Sequence, residues 1–153
     1  MKIEEKINES IKDSMKKKDN VRLDSLRAIK SAILIEKTKS GSKDHIEESV
    51  ILKILQKMVK QRNDSAKIYL EQKRDELANV EISQADIISE FLPAQLSESD
   101  LSEIIDKVII DIGADSIKDM GKVISGVTKK VSGQAEGRVI AEIVKGKLMS
   151  WNK

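Results

Sequence analysis

Cysteine is missing from the chain altogether, which excludes disulfide bonds, thiolate nucleophiles and cysteine-ligated zinc. Aromatic residues are almost as scarce: Tyr69, Phe91 and Trp151 are the full set in 153 residues. A core built without them is aliphatic, and on a Lys/Glu background that favours helices over a β-sandwich. Pro93 is the only proline, and the first 40 residues hold no glycine either. The single histidine, His45, sits beside Asp44 in a polar stretch and reads as solvated surface. A His-based metal site or a Ser–His–Asp triad therefore lacks its parts. No apolar run approaches the ~20 residues that span a bilayer. Residues 1–18 alternate charge with isoleucine and lack the apolar stretch of a secretory signal. Together these absences point to a cytosolic chain with no membrane association, no metal, no cofactor and no catalytic apparatus of its own.

What is present is 39% hydrophobic, nearly all aliphatic or methionine, against 35% charged. That is enough to bury a core and too much for a disordered chain. Net charge is only +2, but it is unevenly placed. Residues 1–96 carry +2. Residues 97–113 set Lys107 against Glu98, Asp100, Glu103, Asp106 and Asp111, a net of −4. Residues 114–153 carry +4, a modest pull on an anionic partner.

Glycine and proline punctuate the chain into two lobes, with boundaries at 1–93 and 94–153 and a hinge over 92–96. Gly41 is the first breaker, and the other six glycines fall between Gly113 and Gly146. The spacing predicts an all-α fold, with about four helices in the first lobe and three in the second. Ile3, Ile7, Ile11 and Met15 form the stripe of a first helix that stops near Lys16, Lys17 and Lys18. Asp19 or Asn20 caps a second helix, with Leu26, Ile29, Ile33 and Leu34 facing inward. Asp44 caps a third, whose stripe runs Ile51, Leu55, Met58 and then weakens to Ala66 and Tyr69. A fourth carries Leu77, Ile87, Ile88 and Phe91 and ends before Pro93, since a pre-proline residue avoids the helical region.

The second lobe gives the cleaner pattern. Ser97 and Asp100 make a Ser-x-x-acid start, followed by Leu101, Ile104, Ile105, Val108, Ile109 and Ile112 on one wide face, with Gly113 as terminator. Ser116 and Asp119 repeat the signature ahead of Met120, Val123, Ile124 and Val127. Gly133 and Gly137 frame a turn into a last helix with Val139, Ile140, Ile143, Val144 and Leu148. The stretch Gly121-Lys-Val-Ile-Ser-Gly126 has the outline of a phosphate-binding loop, but Val127 stands where that motif needs lysine and Gly121 falls inside a helical pattern.

A basic constellation remains. Lys118, Lys122 and Lys129 share a helix face by spacing, Lys130 follows, and Arg138, Lys145 and Lys147 lie on the last helix. The segment 133–137 leads into a helix N-terminus, where free N–H groups favour an anion. Phosphates need only such charges and donors. Base reading of single strands needs stacking rings, and this lobe has only Trp151, so any nucleic acid is recognised by shape.

Four segments carry a family resemblance: Arg22-Leu-Asp-Ser-Leu-Arg27, Lys60-Gln-Arg-Asn-Asp-Ser65, Phe91-Leu-Pro-Ala-Gln-Leu-Ser-Glu98 and Asp119-Met-Gly-Lys-Val123. In this order they resemble the YqeY family over nearly the whole chain. That family is similar in turn to the tail of the B subunit of the glutamine-dependent aspartyl/glutamyl-tRNA amidotransferase (GatB). The resemblance implies a helical N-terminal lobe, a three-helix C-terminal lobe, and a tail of the kind that grips the tRNA elbow while amide formation happens elsewhere. It carries over Lys122, Lys130, Gly133, Ala135, Gly137 and Arg138 as RNA-facing positions. One departure matters: the family often reads Gly-Arg-Ala-Asp-Gly where this chain has Gly133-Gln134-Ala135-Glu136-Gly137, and losing that arginine removes a bidentate phosphate ligand. Gly121 and Gly133 also have a packing reading, as sites of close helix approach.

Three functions are compatible with these residues. The first is a free-standing tRNA-binding accessory protein. The second is a participant in glutamine-dependent amidation of aminoacyl-tRNA beside amidotransferase subunits, in a carbon–nitrogen ligase with glutamine as amido-N-donor. The third is a helical protein–protein adaptor using the long N-terminal helices.

Overall fold

Every regular element among the described residues, 2–41 and 45–151 of this computed structural model, is helical, as the spacing of breakers predicts. The chain divides into two compact units, Met1–Leu92 and Pro93–Lys153, each with its own apolar cluster.

In the first unit α1 spans Ile3–Lys17, α2 Asn20–Ser40, α3 Glu48–Glu71 and α4 Asp75–Ser89. α1 ends as Lys18 turns into the left-handed region, φ 57°. Asp19 then caps α2, its Oδ1 accepting the Arg22 N–H at 3.1 Å. Gly41, φ 73°, closes that helix. The expected cap Asp44 lies outside the described residues; α3 begins at Glu48, with Glu47 as N-cap residue and no side-chain cap. α3 and α4 form a helical hairpin. The unit's core takes Ile3 and Ile7 from α1, Leu26, Ile29 and Ile33 from α2, Ile51, Leu55 and Met58 from α3, and Ile88 from α4.

Three apolar residues of the helix patterns, Met15, Leu34 and Leu77, turn outward. Met15 is 56% exposed and Ser14 is buried in its place. A repeat of four residues turns about 40° past a full helical turn at each step, so the stripe from Ile3 to Met15 drifts off the core face. Leu34 is 64% exposed because it stands about 100° round the helix from Ile33, which holds the inner position. Leu77 is exposed for the same reason, with Ala78 turned inward instead.

The second unit packs α5 (Glu98–Ile112), a short 3-10 turn (Ile117–Asp119), α6 (Met120–Lys130) and α7 (Gly137–Trp151). Ser97 caps α5, its Oγ accepting the Asp100 N–H at 3.1 Å, and Gly113, φ 75°, ends it. Ile112, at the last position of α5, is exposed: the helix end reaches the margin of the core. Ser116 makes no capping bond. Asp119 does not cap α6 either; its Oδ2 accepts the Asp115 N–H at 3.2 Å and so ties back the segment ahead of the helix, and the backbone there winds as a 3-10 turn before α6 starts. Lys118 therefore sits outside α6, and the common face expected for Lys118, Lys122 and Lys129 reduces to the last two. Leu101, Ile105, Ile109, Val123, Val127, Ile140, Val144 and Leu148 fill the core.

Candidate nucleic-acid interface

Lysines 129 and 130 end α6, where cations complement the carbonyl end of the helix dipole. Beyond them the chain must reverse within a few residues to start α7 at Gly137. Gly133 makes that reversal at φ 78°, a conformation that costs other residues a clash at Cβ. The Gln134 N–H closes the turn on the Val131 carbonyl at 2.7 Å.

The loop is then stitched to the segment that precedes α5. Gln95 Nε2 donates to the Gly133 carbonyl at 2.8 Å and to the Pro93 carbonyl at 3.0 Å. The Leu96 N–H donates to the Gln134 carbonyl at 2.9 Å, and Gln134 Nε2 reaches the Ala94 carbonyl at 3.4 Å. Two of the motif segments thus meet: the glutamine of Pro-Ala-Gln-Leu clamps the loop of Gly-Gln-Ala-Glu-Gly. The stretch 93–96, which the sequence casts as a hinge, is itself bonded into the second unit. Neither glutamine stood among the site residues read from the sequence. Their signal was Gln95's place inside a motif, which says nothing of which loop it clamps.

The six carried-over positions fall into two groups. Gly133 is buried and Ala135 packs against the core, so these two shape the loop from within. Lys122, Lys130, Gly137 and Arg138 are exposed. A Cβ on Gly137 would meet nothing within 4 Å, which leaves the first turn of α7 open to a ligand. By helix geometry the N–H groups of that turn have no intrahelical acceptor and carry positive partial charge. Lys130 and Arg138 flank the loop on either side. Lys122 stands eight residues before Lys130 on α6, about 12 Å along the axis. The Trp151 side chain lies outside the described structure.

Carboxylates already engage two of these cations. Arg138 Nη1 lies 3.2 Å from Glu142 one turn on, and Lys130 Nζ lies 3.9 Å from Asp111 of α5. Both pairs are solvent-exposed and hold only weakly. Lys122 and Lys129 have no ion-pair partner among the described residues, so their charges are fully available. Gly121, Lys122 and Gly126 all lie within α6, which is no phosphate loop. Nor does Gly121 serve close packing, since a Cβ there would find open space. Gly126 fills that role, with Val108 Cγ1 only 3.0 Å from where its Cβ would be. Among the described residues no three His, Asp or Glu side chains gather as a metal site, and no helix is long and apolar enough to cross a membrane.

Curated relatives exist in three yeasts, each named "Altered inheritance of mitochondria protein 41, mitochondrial". The protein of Clavispora lusitaniae is 31% identical over 122 residues, covering 80% of this chain and 69% of its own length. Those of Candida glabrata and Kluyveromyces lactis are 29% and 28% identical, covering 56% and 58% of this chain; this chain spans 47% of the length of each. The cytosolic placement expected from composition is overturned by these relatives, which are named as mitochondrial proteins. A cysteine-free, highly charged surface is as compatible with an organelle interior as with the cytosol, so composition could not separate the two. The model of the Yqey-like protein family matches residues 4–148, nearly the full sequence, and the chain belongs to the YqeY family.

Proposed function

We infer that the second unit is a tRNA-binding module and that the chain is an accessory protein resembling the tail of the tRNA-dependent amidotransferase. The observation that carries this reading is the clamped turn between α6 and α7. Lys129 and Lys130 stand on one side, Arg138 on the other and an uncluttered helix N-terminus between them. Such a site suits phosphate oxygens, which demand charge and N–H donors without base-specific hydrogen bonds. Gln95 and Gln134 hold the loop before the ligand arrives, which lowers the ordering cost of binding. Gln134 stands where the family often has arginine, and in this chain its amide ties the loop down.

The test is a titration of labelled tRNA at several salt concentrations. Replacing Lys122, Lys130 and Arg138 by Ala should weaken binding to different tRNAs about equally, and each lost contact should lower the salt slope of log K by roughly 0.7–0.9. Replacing Lys16, Lys17 and Lys18 together is the charge-matched control; an equal loss there would reduce the interaction to diffuse attraction. Releasing Arg138 from its carboxylate by Glu142→Gln should tighten binding about two- to fivefold, the effect of one weak exposed ion pair. Absence of tRNA binding by the unaltered chain at low salt would end the reading.

A further inference from the structure

A groove between α1 and α2, in the first unit, has no part in the site above. Ile7 and Ile33 form its floor and Leu34 one wall, enclosing a cavity of about 120 Å³. That approaches the roughly 150 Å³ of apolar cavities that take up benzene, so one leucine-sized side chain fills it. The rim is cationic. Lys30 and Lys37 line it from α2, and Arg27 continues the same helix flank one turn away. Lys37 Nζ lies 2.9 Å from Glu4 Oε1 and 3.2 Å from Oε2, and it donates its hydrogen bond to Oε2. That ion pair occupies both the Glu4 carboxylate and the Lys37 charge. Arg27 and Lys30 have no ion-pair partner among the described residues.

We propose that this groove docks an acidic segment of a partner protein, with one leucine-sized side chain in the slot and carboxylates on Arg27 and Lys30. The unpaired cations select for acid, and the concave apolar floor selects for an aliphatic anchor. A membrane surface fits less well, because the apolar floor is recessed rather than protruding. A nucleic acid would face Leu34 and isoleucines without an aromatic ring to stack on.

Fluorescence anisotropy of the full chain tests this. The probe is a fluorescein-labelled amphipathic peptide with leucine at every third or fourth position and glutamate between. The glutamate peptide should bind at least about tenfold tighter than its lysine counterpart, and Arg27→Glu with Lys30→Glu should remove about tenfold of that affinity. Leu34→Asn should weaken binding comparably, while Ile35→Asn, on the same helix but away from the groove, should leave it unchanged. All four side chains are exposed, so the variants keep the fold, which circular dichroism verifies. Equal affinity for the two peptides, unaltered binding in the charge-reversed variant, or an equal loss in Ile35→Asn each overturns the proposal. So does a chain that ignores both peptides but binds phosphatidylglycerol vesicles.

Discussion

The two units solve the problem of helix packing differently. In the second, helices of 15, 11 and 15 residues lie around a cluster whose buried members are all apolar. Between its helices the second has the ion pair of Lys147 with Asp106 at 2.8 Å and the looser one of Lys130 with Asp111, whereas the first has helices of 21 and 24 residues tied by more polar bonds. Arg22 of α2 pairs with Glu90 at 2.6 Å, Lys37 holds Glu4 of α1, the Ile3 N–H donates to Glu48 of α3, and Arg62 Nε donates to Gln84 of α4. A 24-residue helix is about 36 Å long, more than its unit's apolar cluster can cover. The outer half of the α3–α4 hairpin accordingly packs through Ala66 and Ala78 and leaves Ile68, Leu70, Leu77 and Val80 in solvent. Short helices bring a loop such as 131–136 under firm control, whereas long ones leave flanks and grooves for surfaces to meet.

The sharpest way to break this contrast is to open the apolar cluster of the second unit. Ile105 is wholly buried, and Ile105→Ala should cost about 2–5 kcal/mol. With ~60 residues and few polar ties to fall back on, the unit should lose protection from amide exchange throughout α5, α6 and α7. An unchanged exchange pattern would mean that this cluster is not what holds the unit.

A smaller effect separates glycines that pack from glycines that do not. Gly126→Ala drives a methyl against Val108 Cγ1 and Ile112 Cδ1 and should destabilise by about 1–3 kcal/mol. Gly121→Ala on the same helix meets open space and should stabilise by about 0.5–1 kcal/mol, because alanine loses less backbone entropy on forming a helix. Urea denaturation of both variants measures the pair. The same sign for both would show that helix propensity, and not the approach of α5, governs this face.

Most of the fold was legible in the sequence because it is written in local rules. Ser97, Gly113, Asp19 and Gly41 act where cap chemistry predicts, and the stripe from Leu101 to Ile109 is buried as its spacing demands. The failures are also physical. Met15 continues the four-residue repeat, Leu34 adjoins Ile33 and Leu77 adjoins Ala78, yet helical phase turns all three outward. Gly121 and Gly126 look alike in sequence, and only the position of Val108 distinguishes them. The candidate site was legible as charge but not as architecture. Lys130 and Arg138 can be read from a basic segment, while their partners Asp111 and Glu142, and the clamp made by Gln95, depend on contacts up to 38 residues apart.

Ser14 offers the finest test, since it lies where the first unit departs most from an apolar interior. It is 1% exposed in the last turn of α1, and its Oγ has no hydrogen-bond partner. Ser25, equally buried on α2, satisfies its own hydroxyl on the Val21 carbonyl at 3.3 Å. With its hydroxyl unbonded, Ser14 fits its buried position by size and not by polarity. An unsatisfied buried hydroxyl destabilises by about 1 kcal/mol or more, and alanine is also the better helix former by a few tenths. Ser14→Ala should therefore raise stability by up to ~1 kcal/mol, while Ser14→Val, which keeps the site apolar but enlarges it, should lower stability by about 1–3 kcal/mol. Thermal denaturation of the two variants separates size from polarity. A loss in Ser14→Ala would mean that the hydroxyl is satisfied in solution, by a bound water for instance, and that the first unit tolerates buried polar groups only when they are bonded.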